Sequence, residues 1–292
     1  MSRAEVSGES LKRFPIRDYD LDLTFDCGQA FRWQREGASW TGVVGRRWVR
    51  LRSEPGAIVA ETAEPVSHWD WLGEFLELDL DLARVMRTFP EDEPMRAAAA
   101  ACRGLRLLRQ DRWECLASFI LSATKRITQI REVVAILCDR FGEPVAAPPG
   151  VAPARAFPSA ARLAAATEAD LRACKMGFRA PNLLATARLI AEGRCDLARL
   201  GALPIEAARE ELTRLPGVGP KIADCALLFG GGFPTAFPLD VWIIKALRRL
   251  YFPRKRVAMP KLRRFAASHF GPHGGYAQQY LFHYVRTKRS DL

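Results

Sequence analysis

No stretch of the sequence approaches the run of about 20 apolar residues that spans a bilayer, which excludes an integral membrane protein of the helical kind. Cysteine is sparse. The seven residues are Cys27, Cys102, Cys115, Cys138, Cys174, Cys195 and Cys225, an odd number with no C-x-x-C pair. That argues against a disulfide framework, a structural zinc site and an iron–sulfur cluster. Residues 1–12 lack the apolar core of a secretory signal, so the expected setting is reducing and cytoplasmic, nucleoid-associated if the source is bacterial. Internal repeats and low-complexity tracts are missing as well. Acidic residues are the minority charge: 33 Asp and Glu face 44 Lys and Arg, a net +11 that makes polyanions the first partners to consider. Of the basic residues 36 are Arg and 8 are Lys, a bias that suits bidentate phosphate contacts and follows equally from a GC-rich genome. What is present is globular composition, 49% apolar and 26% charged over 292 residues. That length allows two domains at roughly 150 residues each.

Residues 20–62 read as short strands. Trp40, Val43 and Val44, then Trp48, Val49 and Leu51, then Ile58 and Val59 are separated by turn-prone Gly42, Gly45 and Gly56, as in an antiparallel sheet with one buried face. From about residue 67 the period becomes helical, with Trp71, Phe75 and Leu78 at helical spacing in 68–78. Residues 112–141 predict a long helical stretch, broken in two near 122–126. The proline-rich segment 143–153 predicts a loop. Helical patterns resume at 159–193 and continue nearly to the C-terminus. The expected fold class is α+β, with a β-rich N-terminal domain over 1–107 packed on a larger all-helical domain over 108–292. Residues 201–292 hold 15 Lys/Arg against 6 Asp/Glu, +9 of the total +11. The clusters are Arg248-Arg249, Arg254-Lys255-Arg256, Lys261 with Arg263-Arg264, and Arg286 with Lys288-Arg289. Any one of them could be a solvated face; their concentration favours a polyanion surface.

The most informative stretch is L-P-G-V-G-P-K-I-A-D-C, residues 215–225. Residues 206–214 are amphipathic and helix-prone, and Pro216 stops that helix. Gly217 and Gly219 are able to take positive φ and to let another backbone approach. Pro220 suits the first turn of the next helix. The pattern is a helix-hairpin-helix over 206–229, whose turn aims backbone N–H groups at a phosphate from a helix N-terminus. Lys221 stands in the first turn of the second helix, where the helix dipole disfavours a structural cation. The same field favours the neutral amine that a nucleophile needs; the competing reading is a phosphate-binding lysine. Asp240 follows in A-F-P-L-D-V-W and precedes an amphipathic helix over 241–251. It reads as an N-cap, and a capping carboxylate is also rigid and well suited to face a developing cation.

The hairpin motif, with an Asp in P-L-D-V nineteen residues after the lysine, resembles the Gly/Pro…Asp signature of base-excision DNA glycosylases. The segments L-D-L-T-F-D-C-G-Q-A-F-R-W (21–33), G-L-R-L-L-R-Q-D (104–111), E-C-L-A-S-F-I (114–120) and G-G-Y-A-Q-Q-Y-L-F (274–282) resemble the eukaryotic-type 8-oxoguanine DNA glycosylase/AP lyase family. The similarity runs from about residue 16 to 286. It implies a helix-hairpin-helix glycosylase core that takes the damaged nucleotide out of the stack. Lys221 would attack C1′ and form a Schiff base, Asp240 would stabilise positive charge on the sugar, and β-elimination would cut the strand. By position, Gly28 corresponds to the glycine whose carbonyl accepts the N7–H of 8-oxoguanine; guanine N7 is itself an acceptor. Cys225 and Phe282 correspond to the residues that sandwich the base, and Gln278 to the one that reads its Watson–Crick edge. Individually these could be a buried Cys, an apolar helix stripe and a surface Gln.

The departures fall on the opposite-strand side. Thr124 stands where the family has the Asn that fills the gap left by the flipped base, and Gln129 where it has an arginine that reads the opposite cytosine. A second such arginine is kept as Arg179. Phe178 replaces a wedging tyrosine, and its ring can still intercalate. Trp242 replaces a histidine that helps hold phosphate. Lys125 or Arg126 could substitute for the missing arginine. The expected partner is double-stranded DNA containing oxidised guanine, with a monovalent cation at the hairpin; no cofactor, no membrane and a monomer are expected. Two alternatives compete: a monofunctional alkylbase glycosylase, which lacks the lysine, and a non-catalytic damage-binding protein. The expected opposite-base preference is relaxed.

Overall fold

The computed structural model describes residues 8–253 and 256–288. The N-terminal part is a five-stranded antiparallel sheet in the order β1-β5-β4-β3-β2. Its strands are β1 (Glu9–Pro15), β2 (Gln34–Glu36), β3 (Ser39–Val44), β4 (Arg47–Glu54) and β5 (Ala57–Val66). Gly45 at φ +58° and Gly56 at φ +68° turn the β3–β4 and β4–β5 hairpins, a backbone region open to glycine at little cost.

Three features of the strand reading change. Gly42 lies inside β3 and makes no turn: a Cβ there would stand 2.6 Å from Trp33, so the glycine exists to let the indole lie flat on the sheet. Residues Leu21–Asp26 form a helix, α1, because the Asp20 carboxylate accepts from Leu23 N–H and caps it. β1 lies outside the expected strand region. It is an edge strand with little apolar alternation, ordered by its pairing with β5 from Leu11↔Glu61 to Pro15↔Ala57.

On one face of the sheet Phe25, Trp33, Trp40 and Phe75 pack ring against ring: Trp33 stacks on Phe75, while Phe25 is tilted against Trp33, centroids 4.2 Å apart, and against Trp40. Helices α2 (Asp70–Phe75), α3 (Leu82–Met86) and α4 (Glu93–Ala101) lead into the helical part. The expected break near 122–126 separates α5 (Arg112–Leu121), seven of whose residues are buried, from α6 (Ile127–Phe141). The proline-rich loop is held at its ends by the two-residue strands β6 (Pro144–Val145) and β7 (Ala154–Arg155). Then come α7 (Ala160–Ala164), α8 (Glu168–Leu171), α9 (Ala180–Ala191), α10 (Ile205–Thr213), α11 (Pro220–Ala226), α12 (Val241–Tyr251), α13 (Met259–His269) and α14 (Gly274–Thr287). One continuous core takes Cys27, Phe31 and residues from Leu82 to Leu107 together with the helices after residue 112. The sheet keeps a core of its own around Trp33, Val49, Leu51 and Ile58; Cys27 and Phe31 join the N-terminal part to the helical core, and the Arg32–Glu114 ion pair at 3.0 Å fastens the seam. All seven cysteines are buried free thiols. Among the described residues no helix is long and apolar enough to cross a membrane.

Candidate active site

The hairpin is built by α10 and α11. Arg209 on α10 donates to Asp224 on α11 at 2.8 Å, so the Asp of the K-I-A-D segment ties the two helices together. Gly217 has φ +78°, and a Cβ there would lie 2.8 Å from Asn182 Cβ; the turn presses against α9. Gly219 does not use positive φ. It is the N-cap of α11 at φ −90° and ψ 176°, with no side-chain cap and open space where a Cβ would stand. A glycine here leaves the first-turn amides open to an incoming group.

Lys221 leaves this turn inward. Its Nζ donates to Ser122 Oγ at 3.3 Å and lies 5.0 Å over the Phe119 ring. Asp240 caps α12 as the sequence indicates, accepting from Ile243 N–H at 2.7 Å. Burial raises its carboxyl above the usual carboxylate range, opposed by the Ile243 amide, the Lys221 charge and the Trp242 amide. Burial also pushes the Cys225 thiol up to about 11 against the pull of the Lys221 ammonium. Cys225 is thus a neutral, polarisable wall at physiological pH.

Lys221, Asp240, Gly28, Cys225, Gln278 and Phe282 line one cavity of about 50 Å³. It gathers residues from α1's end, α11, α12 and α14, separated by up to 254 positions in sequence. Gln278 Nε2 donates to Pro238 O at 3.1 Å, while its buried Oε1 has no partner. An unpartnered buried acceptor costs free energy unless a ligand supplies a donor. Gly28 has φ +81°, and a Cβ would come within 2.6 Å of Ile127 Cδ1. Gln29, fully buried, fixes this turn: it donates to Arg106 O at 2.7 Å and accepts from Leu108 N–H at 2.8 Å. Sequence reasoning missed Ile127, Ser122, Phe119, Phe229 and Gln279 at this site. Phe119 and Gln279 stood within the quoted motifs; the others carry no signal beyond being apolar or small. Gly28→Ala is expected to cost about 1–2 kcal/mol from its left-handed backbone alone. A urea unfolding midpoint unchanged from wild type would contradict this.

Of the residues expected to face the opposite strand, Thr124, Phe178 and Arg179 meet just ahead of α9, while Gln129 and Trp242 stand on α6 and α12. Thr124 takes φ +57°, a strained conformation for a β-branched residue. Arg179, only 6% exposed, is turned inward: Nη2 donates to Thr124 Oγ1 at 2.6 Å and to Ala123 O, and Nη1 to Met176 O at 3.2 Å. Its neighbour Phe178 is 61% exposed, with the Arg179 guanidinium 4.2 Å from its ring. Gln129 is exposed, and its amide oxygen accepts from Arg126 N–H at 2.9 Å to cap α6. Trp242 is half-buried, with Lys245 Nζ 5.7 Å over its ring. Of the basic clusters, Arg248, Arg249, Arg256, Lys261, Arg263, Arg264 and Lys288 are exposed. Arg286 is not part of that surface; it is half-buried against Asp26. Arg254, Lys255 and Arg289 lie outside the described residues.

A hairpin that presents main-chain amides, with a lysine and a helix-capping aspartate lining one cavity behind it, defines a base-excision glycosylase of the helix-hairpin-helix class. Residues 13–116 match the 8-oxoguanine DNA glycosylase N-terminal domain, and residues 117–270 match the HhH-GPD superfamily of base excision DNA repair proteins. The chain belongs to that superfamily, in its 8-oxoguanine DNA glycosylase branch. It is 33% identical to a probable N-glycosylase/DNA lyase of Methanothermobacter thermautotrophicus, over 94% of this chain and 96% of the relative. It is 31% identical to the N-glycosylase/DNA lyase OGG1 of Arabidopsis thaliana, over 93% and 80%. The Clostridium acetobutylicum 8-oxoguanine glycosylase/lyase, solved with double-stranded DNA containing cytosine opposite 8-oxoguanine, superposes with a TM-score of 0.88. It is 30% identical, over 97% of this chain and 99% of that one.

Proposed function

We propose that this protein is a bifunctional DNA glycosylase/AP lyase that excises 8-oxoguanine from duplex DNA and cleaves the strand through Lys221. The observation that carries the reading is the single cavity in which Lys221 and Asp240 meet Gly28, Cys225, Gln278 and Phe282. The lone Gln278 Oε1 suits the donors on the Watson–Crick edge of a guanine-type base. Cys225 and Phe282 supply faces for its ring, and the Gly28 carbonyl supplies the acceptor for N7–H. The Lys221 amine, as free base, bonds to C1′ as the C1′–N9 bond breaks; the base leaves with the bonding pair and takes up the proton that the alkylated Lys221 nitrogen sheds. Asp240 stabilises the positive charge on the sugar during that step. Ring opening gives the Schiff base, and loss of a C2′ proton expels the 3′-phosphate.

The hairpin amides at Gly217 and Gly219 and the exposed basic residues of α12 and α13 support binding of the DNA backbone. A monovalent cation at the hairpin belongs to the same proposal, although Leu215 O already accepts from Val218 N–H and Pro216 O from Thr186 Oγ1. Among the described residues no side-chain cluster could hold a metal.

Opposite-base preference is relaxed in this reading. Gln129 spends its amide oxygen on the α6 cap, and Arg179 is committed to Ala123 and Thr124. Reaching a partner base would strip Arg179 of those bonds. Each lost bidentate contact removes about 1–3 kcal/mol of discrimination. Single-turnover incision of 8-oxoguanine opposite C, A, G and T is expected to show at least one other partner comparable to cytosine. A cytosine preference above about a hundredfold, close to 3 kcal/mol, would overturn this, and Lys125, Arg126, Arg179 and Phe178 would be the next residues to vary.

A further inference from the structure

The turn that delivers Gly28 leaves the end of α1, a six-residue helix with no basic residue in its last turn. Its final carbonyls are nevertheless taken by donors from helices far away in sequence. Arg131 on α6 donates Nη2 to Phe25 O at 3.1 Å. Arg286 on α14 donates Nη2 to Asp26 O. Gln279, also on α14, donates Nε2 to Cys27 O at 2.9 Å. Three consecutive carbonyls are therefore fixed, and the next one along the chain belongs to Gly28.

The Asp26 carboxylate sits between the two guanidiniums, 3.4 Å from Arg131 through Oδ1 and 3.8 Å from Arg286 through Oδ2. Both Nε groups are buried without partners, so each guanidinium is compensated through its Nη end and through Asp26. Of the two helices that grip the carbonyls, α14 lines the cavity with Gln278 and Phe282, and α6 packs against Gly28 through its first residue, Ile127. A shift of the turn relative to α14 would misplace the Gly28 carbonyl against the ring that Phe282 covers.

We propose that Arg131 and Arg286, bridged by Asp26, are positioning residues for lesion recognition: they clamp the end of α1 so that the Gly28 carbonyl is held at a fixed place in the cavity. The proposal rests on the reading of Gly28 as the acceptor for the lesion's N7–H. A lone acceptor discriminates only when its position is fixed to within about 0.5 Å. Long-range charged donors achieve this where a short helix cannot cap itself.

The test compares two substrates on the same protein. A duplex with 8-oxoguanine requires the base to be read. A duplex with a preformed abasic site requires only the Lys221 chemistry. Arg286→Met keeps the stem and removes the donors; Arg286→Lys restores a cation; Arg131→Met repeats the measurement from α6. Single-turnover excision of 8-oxoguanine by the Met variants is expected to fall about 10–100-fold, the scale of a misplacement near 1 Å. Abasic-site cleavage should stay within about twofold of wild type, and Arg286→Lys should recover part of the excision rate. Equal losses on both substrates would reduce the cluster to general scaffolding and overturn the proposal. So would wild-type excision in the Met variants. Wild-type protein that cleaves the abasic site but leaves 8-oxoguanine intact would instead sink the lesion assignment, and the clamp with it.

Discussion

Lys221→Gln is expected to abolish the borohydride-trapped covalent complex with 8-oxoguanine DNA and to lower strand incision by several orders of magnitude, while duplex binding persists. The physical grounds are local. Gln has nearly the helix propensity of Lys, so the helix is kept while its side chain, one bond shorter, gives up the 3.3 Å contact to Ser122 Oγ. The Gly219 N-cap and the tie between Arg209 and Asp224 do not involve Lys221, so the amides offered to phosphate stay in place. What is lost is, among the described residues, the only cavity-lining nitrogen able to form a Schiff base: the other lining groups are carboxylate, thiol, amide and apolar. Trapping by the variant at wild-type yield would assign the nucleophile elsewhere. The same experiment separates this enzyme from a monofunctional glycosylase, which gives no trapped complex even before mutation, and from a binding protein, which gives neither complex nor excised base.

Asp240→Asn is expected to slow excision by about 10²–10³, the scale on which one preorganised electrostatic group acts, without loss of thermal stability at pH 7. Asn caps a helix about as well as Asp, so the bond from Ile243 N–H survives. Burial raises the Asp240 carboxyl above its ordinary value in the folded state. Its ionised form therefore costs stability above the unfolded-state pKa, and that cost is relieved as pH falls through the raised folded value. Removing the charge relieves it at neutral pH, so the Asn variant should melt at or above the wild-type temperature. Asp240→Ala, which also loses the cap, should be less stable than Asn by about 1 kcal/mol. On the proposed role the ionised form of Asp240 acts, so excision should decline on acidification through the raised pKa, a decline the Asn variant should not share. Full-rate excision by Asp240→Asn would leave Asp240 as a structural cap alone.

Much of this molecule was legible in sequence because the relevant physics is local. The hairpin reads directly from Pro216, Gly217 and Pro220, which stop one helix, turn the chain and start the next. The Asp240 cap and the helix it begins follow from the N-cap chemistry of one side chain. The Gly45 and Gly56 hairpins and the break between α5 and α6 are equally local. Periodicity could not show that Gly42 sits within a strand to admit Trp33, since that depends on a residue nine positions away across a sheet. Nor could it place β1, whose order comes from pairing with β5.

The site divides in the same way. The residue types of the cavity stood in the sequence, and Cys225 shares a helical face with Lys221 by spacing alone. Their distances to Gly28, Gln278 and Phe282 depend on how α1, α11, α12 and α14 pack. The engagement of Arg179 with Thr124 and Ala123 was invisible, because an arginine beside an exposed aromatic reads as surface until the loop it binds is seen beside it. Arg286 counted as part of a basic cluster for the same reason; only packing of α14 against the end of α1 turns it from solvent to the Asp26 carbonyl. Sequence determined which groups the chain carries and where its helices begin and end, since caps, turns and periodicity act within a few residues. Tertiary structure alone decided which of those groups face each other, because a long, flexible side chain takes its direction from its burial and partners across the fold.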